Sequence, residues 1–245
     1  GPPGAGKTQL CLHIAALTAV GGGEVFWLDS ERTFSPPRML ELLEATLAGP
    51  GAGMSRAETD ALVLPALQRI RSRACASLQE LHGIVADLAQ RARHGDELPA
   101  LIVVDSIAAL ARNVGDALGA QSLLIPQRQR SLSALASLFK VLVATPMEQS
   151  SWRPPGVVVT NQVSGDPTSG GSKVTLGHVW HHAVNWRLVL SHLPPGDPRG
   201  HGTKEKSAAG ERFLHVEKSP CSAPITVRYT IGQQGLVETG QGQAG

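Results

Sequence analysis

Two apolar runs that each close on a carboxylate set the rhythm of this chain. Val25-Phe26-Trp27-Leu28 leads into Asp29, and Leu101-Ile102-Val103-Val104 leads into Asp105. Short uninterrupted apolar runs predict strands buried on both faces, the habit of a parallel sheet covered by helices. Val157-Val158-Val159 predicts another, with Thr160-Asn161-Gln162 as its polar tip. Between these runs the period lengthens to that of helices. Residues 8–20 are rich in Leu and Ala and stop at Gly21-Gly22-Gly23, and residues 36–47 predict a second helix. Ser77 with Glu80 three residues on fits an N-cap for a helix reaching His94-Gly95. Residues 131–140 and 176–184 also read as helical, while 69–76 reads as a strand, with the end of a helix as the alternative. Farther on, 187–192, 212–216 and 225–231 predict strands, the last running into a turn at Gly235. The order predicts an α/β fold: a doubly wound, mostly parallel sheet with a small antiparallel extension at its end.

The connections add detail. Residues 49–55 form a Gly-rich connector, and 194–210 have the composition of a flexible surface loop. Residues 141–156 exceed the roughly 2–6 residues usual between a helix and a strand and read as an insertion. All of 1–245 is otherwise read as one core domain.

Composition narrows the class. In 245 residues, 42% are hydrophobic and 17% charged, an ordinary globular balance that argues against disorder of the whole. Twenty-two Lys and Arg against 20 Asp and Glu leave +2, too little to argue nucleic acid from total charge, so any DNA contact must come from local loops. Cys11, Cys75 and Cys221 are odd in number and far apart, which speaks against a disulfide framework and for a reducing compartment. No stretch reaches the roughly 18 consecutive apolar residues of a membrane-spanning helix.

Chemistry concentrates at the start. Gly1-Pro2-Pro3-Gly4-Ala5-Gly6-Lys7-Thr8 satisfies the phosphate-loop pattern G-x-x-x-x-G-K-S/T, which turns backbone N–H groups toward nucleotide phosphates at a helix N-terminus. Lys7 is expected to reach the β- and γ-phosphates and the Thr8 hydroxyl to ligate Mg²⁺. Such a loop normally hangs from a central parallel strand, so a strand belonging to a longer protein is expected ahead of Gly1. Asp105, ending an apolar strand, is placed to hold the Mg²⁺ through water; the alternative is a cap on a neighbouring helix. Glu31 lies just past the strand that contains Trp27, at a tip that shares the crevice, and is the best-placed carboxylate to orient or deprotonate water. The alternative is a surface glutamate on a turn.

Phe26-Trp27-Leu28-Asp29-Ser30-Glu31, the phosphate loop with its trailing Gln9, residues 101–106 and residues 157–162 resemble, in order and spacing, the ATPase core of the RecA-like eukaryotic recombinases. The resemblance implies ATP with Mg²⁺ as the ligand, Glu31 as catalytic base, Arg38 packed on adenine, and Gln162 sensing the γ-phosphate and passing its state to DNA. For Gln162 the plain alternative is a strand-end hydrogen bond. Residues 176–188 look like the helix-into-strand segment of the recombinase paralogues. Glu217-Lys218-Ser219-Pro220, with Tyr229-Thr230-Ile231 and Gly235-Leu236-Val237, looks most like the B-type paralogue. By the same resemblance, Lys218 and Pro220 lie against ATP bound by a neighbouring subunit, although a solvent lysine is the alternative. Two loops matching 112–129 and 164–175 would face DNA, with Arg112, Arg128, Arg130 and Lys173 neutralising phosphate. Neither contains an aromatic residue, so base stacking is not supported. His178, His181 and His182 have i, i+3, i+4 spacing but read as helix surface and subunit contact rather than zinc ligands, and Cys11 reads as packing.

The resemblance therefore implies a nuclear, DNA-dependent ATPase of the recombinase-paralogue kind, acting in homologous recombination and double-strand break repair. Its implied partners are single-stranded and branched DNA and other paralogues in a hetero-oligomer. The alternatives are a structural subunit that ATP clamps with little hydrolysis and, further off, a hexameric helicase motor.

Overall fold

The computed structural model describes residues 1–49, 55–116, 121–144, 153–165, 172–174, 176–192, 210–239 and 243–244. In chain order the first half contains α1 (Lys7–Val20), β1 (Val25–Asp29), α2 (Pro36–Leu47), α3 (Arg56–Gln68), β2 (Ile70–Ala74), α4 (Leu78–His94) and β3 (Leu101–Asp105). There follow α5 (Ile107–Asp116), α6 (Gln121–Ala144), β4 (Gly156–Val159), β5 (Val163–Gly165), β6 (Ser172–Val174) and α7 (Gly177–Ala183). The chain ends in β7 (Arg187–Ser191), β8 (Arg212–Lys218), β9 (Ile225–Gly232), β10 (Gly235–Glu238) and β11 (Gln243–Ala244).

The first four strands pair in parallel in the order β2-β1-β3-β4. Side chains alternate across the strands, and both faces are covered. Val25, Trp27, Leu101 and Val103 pack on Leu12 and Ala15 of α1, Met39 and Leu42 of α2, and Val63 of α3. Leu28, Ile102 and Val104 face the other way, onto Leu81 and Val85 of α4, Leu110 of α5, and Leu132 and Leu135 of α6. This is why β1 and β3 are apolar up to their closing carboxylates, neither parity having a solvated side, whereas the edge strand β2 is polar and mostly exposed. The register aligns Asp29 with Asp105, so β1 and β3 deliver two carboxylates to one edge of the sheet.

The later strands form a separate antiparallel sheet in the order β10-β9-β8-β7, with β11 beside β9. Its inner residues Leu190 and Tyr229 are buried against Ala5 of the phosphate loop. β5 and β6 make a two-stranded hairpin.

The antiparallel extension expected at the end is present, as a sheet of five strands. Several expectations need correction. Gly235 opens β10 rather than ending the fold in a turn. α3 was not expected, although Ser55 and Glu58 form a complete capping box; its apolar residues keep no helical period and Pro65 sits inside it. The expected loop at 112–129 is largely helical, since Arg112 belongs to α5 and residues 121–130 belong to α6. Pro126 and the polar run Gln127-Arg128-Gln129-Arg130 hide the helix, which is anchored farther along by Leu132, Leu135, Phe139 and Leu142. Of the expected loop at 164–175, Ser164 and Gly165 lie in β5 and Ser172–Val174 in β6.

Residues 141–144 continue α6, whereas 145–152 of the expected insertion lie outside the described residues. So do 50–54 of the connector and 194–209 of the expected surface loop. Among the described residues no helix is long and apolar enough to cross a membrane.

Candidate nucleotide site

Gly6 is the N-cap of α1 and holds a left-handed backbone, φ 96°. A Cβ there would come within 2.7 Å of Ile231 Cδ1, a side-chain end that can shift, so it is the left-handed conformation that requires glycine. With Gly6 turned this way, Lys7 and Thr8 begin the helix over a cavity of about 530 Å³, which Glu31, Thr33, Asp105, Ser106, Gln162 and Arg212 also line. The Lys7 Nζ donates to the carbonyls of Gly1 (2.9 Å) and Pro2 (2.8 Å) and so folds onto its own loop. Burial holds its pKa below the usual lysine value, with Asp105 and Glu31 pulling the other way.

Thr8 Oγ1 donates to Asp105 Oδ2 at 2.7 Å. The same Asp105 oxygen accepts from the Thr33 hydroxyl at 3.1 Å, and its other oxygen accepts from Thr160 Oγ1. Asp105 is only 5% exposed, so three hydroxyls replace the water it has lost. A hydroxyl and a carboxylate beside an ammonium are hard oxygen donors of the kind Mg²⁺ takes when it bridges a protein to phosphates. Thr8 and Asp105 therefore fit the ion as its protein ligands.

Glu31 is held by two elements. Ser106, next to Asp105, donates its hydroxyl to Glu31 Oε1. Gln162, just past β4, donates Nε2 to both Glu31 oxygens at 3.2 and 3.4 Å. Asp29 fixes the backbone beneath, accepting N–H groups from Glu31 (3.2 Å), Thr33 (3.1 Å) and Phe34 (2.9 Å). The two in-register carboxylates have thus separated in role: Asp29 caps a loop and Asp105 faces the cavity.

Arg38, in the first turn of α2, donates Nε to Gln9 Oε1 at 2.9 Å and pairs with Glu41 at 2.6 Å. Its guanidinium also donates to the Gly232 and Gln233 carbonyls of the β9–β10 turn. Gln9 and Arg38 are therefore brought together at the rim. The residues expected at DNA on two loops lie instead on α5, α6 and β6. Arg112 is exposed on α5 and donates to Gln162 Oε1 at 3.1 Å, Arg128 is half-buried on α6, and Arg130 is exposed there. Lys173 sits on β6, and its side chain lies outside the described residues. Lys218 Nζ donates to the Val184 carbonyl at 2.6 Å, at the end of α7, and Pro220 is exposed. His181 meets Arg187 at 3.0 Å, and Cys11 is buried in the core beneath α1, where desolvation raises its thiol pKa.

Sequence reasoning missed the contribution of the antiparallel sheet. Tyr229 donates its hydroxyl to the Ala5 carbonyl at 2.6 Å, and burial pushes its pKa up to about 12, so it stays a donor. Arg212 reaches the Gly4 carbonyl at 3.4 Å and lines the cavity. Neither carried a local signal of this contact, being strand residues far from the loop, and Tyr229 stood out only as part of the paralogue resemblance. Ser106 could have been found by its place next to Asp105.

A glycine-rich loop feeding a helix, set against the tips of a covered parallel sheet, defines a P-loop nucleotide-binding fold of the RecA-like class. The crystal structure of the RadB recombinase has the same fold, with a TM-score of 0.61 at 23% identity over 96% of this chain and 86% of that one. Residues 1–239 match the Rad51 family, and the chain belongs to it. The DNA repair protein RAD51 homolog 2 of Mus musculus is 28% identical over 98% of this chain, and the Homo sapiens protein of that name is 27% identical over 97%. The DNA repair protein RAD51 homolog 4 of Bos taurus is 32% identical over 78%. The chain spans 68%, 62% and 53% of the lengths of these three relatives.

Proposed function

We propose that the protein binds ATP with Mg²⁺ and hydrolyses it in response to DNA, as a nuclear recombinase paralogue in homologous recombination and double-strand break repair. The observation that carries this reading is the convergence of Lys7, Thr8, Glu31, Asp105 and Gln162 on one cavity. Mg²⁺, held by Thr8 and Asp105, would neutralise charge on the phosphates. Lys7 binds the terminal phosphates, and the loop from Gly1 to Gly6 wraps them, its non-proline residues presenting backbone N–H groups. Glu31 orients the attacking water and accepts its proton, while Gln162 reports the terminal phosphate to the following hairpin. Gln9 and Arg38 take the adenine side. The names of the relatives, DNA repair proteins, support DNA as a partner. In this reading Arg112, Arg128, Arg130 and Lys173 are its phosphate contacts. Other paralogues complete a hetero-oligomer, with Lys218 and Pro220 against the neighbour's nucleotide.

Steady-state ATP hydrolysis with and without single-stranded DNA, beside a Glu31→Gln variant, tests the reading. DNA-stimulated turnover that the variant loses is expected. A second reading, in which ATP clamps a structural subunit, is favoured by one observation: both Glu31 oxygens are already engaged by Ser106 and Gln162. Absent turnover with tight ATP-dependent partner binding would select it.

A further inference from the structure

We propose that Arg112 is a positioning residue: it latches the Gln162 amide onto Glu31 and so opposes the engagement of Gln162 with a terminal phosphate. The inference rests on the reading of Gln162 given above.

A carboxamide has a donor end and an acceptor end, and its neighbours decide which way it points. Here Gln162 Oε1 accepts from Arg112 Nη1 at 3.1 Å, and Nε2 faces the Glu31 carboxylate at 3.2 Å. Rotating the amide by half a turn would set oxygen against carboxylate and NH₂ against guanidinium, two repulsive contacts in place of two attractive ones. The cation on one side and the anion on the other therefore fix one orientation. Both ends of the arrangement are referred to the same helical segment. Ser106, whose hydroxyl accepts from the Ala109 N–H at the start of α5, donates to Glu31, and Arg112 on α5 holds Gln162. Residues just past β1, β3 and β4 thus lock to one another through α5.

Gln162 can meet a phosphate only by leaving Glu31, and Arg112 stabilises the position it must leave. A nucleoside triphosphate works against this latch through its γ-phosphate, which a diphosphate lacks. Removing Arg112 therefore raises the preference for the triphosphate. This differs from the simple role of neutralising DNA phosphate, because it needs no DNA.

The test measures dissociation constants for ADP and a non-hydrolysable ATP analogue, both with Mg²⁺. It uses the purified protein and the variants Arg112→Ala, Arg112→Lys, Gln162→Ala and the Arg112→Ala/Gln162→Ala double. In Arg112→Ala the preference for the analogue over ADP is expected to rise about three- to ten-fold, the scale of one ordinary solvent-exposed hydrogen bond. Arg112→Lys, which keeps a cation and a donor, should lie between this variant and the parent. In the Gln162→Ala background, Arg112→Ala should change nothing. An unchanged preference in Arg112→Ala, or an equal change without Gln162, overturns the latch. Weaker binding of single-stranded DNA with an unchanged nucleotide preference overturns it too and leaves Arg112 as a phosphate contact. If Gln162→Ala alone keeps the parental preference, the reading of Gln162 itself falls, which is distinguishable from failure of the latch.

Discussion

Thr8 donates to Asp105 at 2.7 Å across 97 residues of sequence. The hydroxyl opens α1 and the carboxylate closes β3, so this one contact joins the phosphate loop to the tip of the parallel sheet. It also orients two oxygens toward the same cavity, the arrangement a phosphate-bridging Mg²⁺ uses.

Asp105→Asn should keep the fold, because an amide of the same shape accepts at its oxygen and donates its NH₂ to a hydroxyl that turns to accept. It should lose most of the effect of Mg²⁺ on ATP affinity. Titration of ATP with Mg²⁺ and then with a chelator is expected to separate the two conditions clearly in the parent and hardly in the variant. A variant with a parental Mg²⁺ effect would contradict the assignment.

Lys7 titrates below the usual lysine value of 10.5, because burial disfavours its charge. Phosphate binding needs that charge, so ATP affinity should decline on the alkaline side at a lower pH than an ordinary lysine would give. Folding has the opposite sign: the folded state binds fewer protons at this site than the unfolded state, so Lys7 adds stability as pH rises through the lowered pKa. Affinity measured from pH 7 upward, beside Lys7→Ala as a variant without the ammonium, checks the first statement.

Ser106→Ala removes one of the two side chains that donate to Glu31. ATP affinity should change little, while turnover should fall about ten-fold as the carboxylate loses its orientation, a modest part of the 10²–10⁴ typical of a general base. Equal losses in affinity and turnover would instead place Ser106 in binding.

Tyr229→Phe deletes the buried bond from the antiparallel sheet to the Ala5 carbonyl. The expected cost is about 1–2 kcal/mol, since the carbonyl is left without that donor. ATP affinity should fall with it, because the loop loses a brace. Thermal melting with and without nucleotide reads both effects.

Gly235→Ala should destabilise by about 1–3 kcal/mol without touching the cavity. Its φ is 95°, and a Cβ would lie 2.7 Å from His13 Nδ1, which accepts the neighbouring Leu236 N–H. A lowered melting temperature with unchanged ATP affinity per folded molecule is expected.

What could be read without coordinates was local. The loop from Gly1 to Thr8 is a contiguous motif, and β1 and β3 announce themselves because strands covered on both faces are apolar at every position. α5 and α6 could not be read so easily. Where Gln127, Arg128, Gln129 and Arg130 interrupt the apolar period, the helix is carried by anchoring residues such as Leu132 and Leu135. Likewise nothing around Arg112 distinguishes a phosphate contact from a residue that holds Gln162.

From sequence alone came the family resemblance, the nucleotide loop and the identity of the strand-end residues, because each depends on neighbours in the chain. Tertiary structure decided which of two aligned carboxylates faces the cavity, that Glu31 meets both Ser106 and Gln162, and that the antiparallel sheet braces the phosphate loop through Tyr229. These are contacts between residues 75, 131 and 224 positions apart, and strand register and packing, rather than any local pattern, bring such side chains within hydrogen-bonding distance.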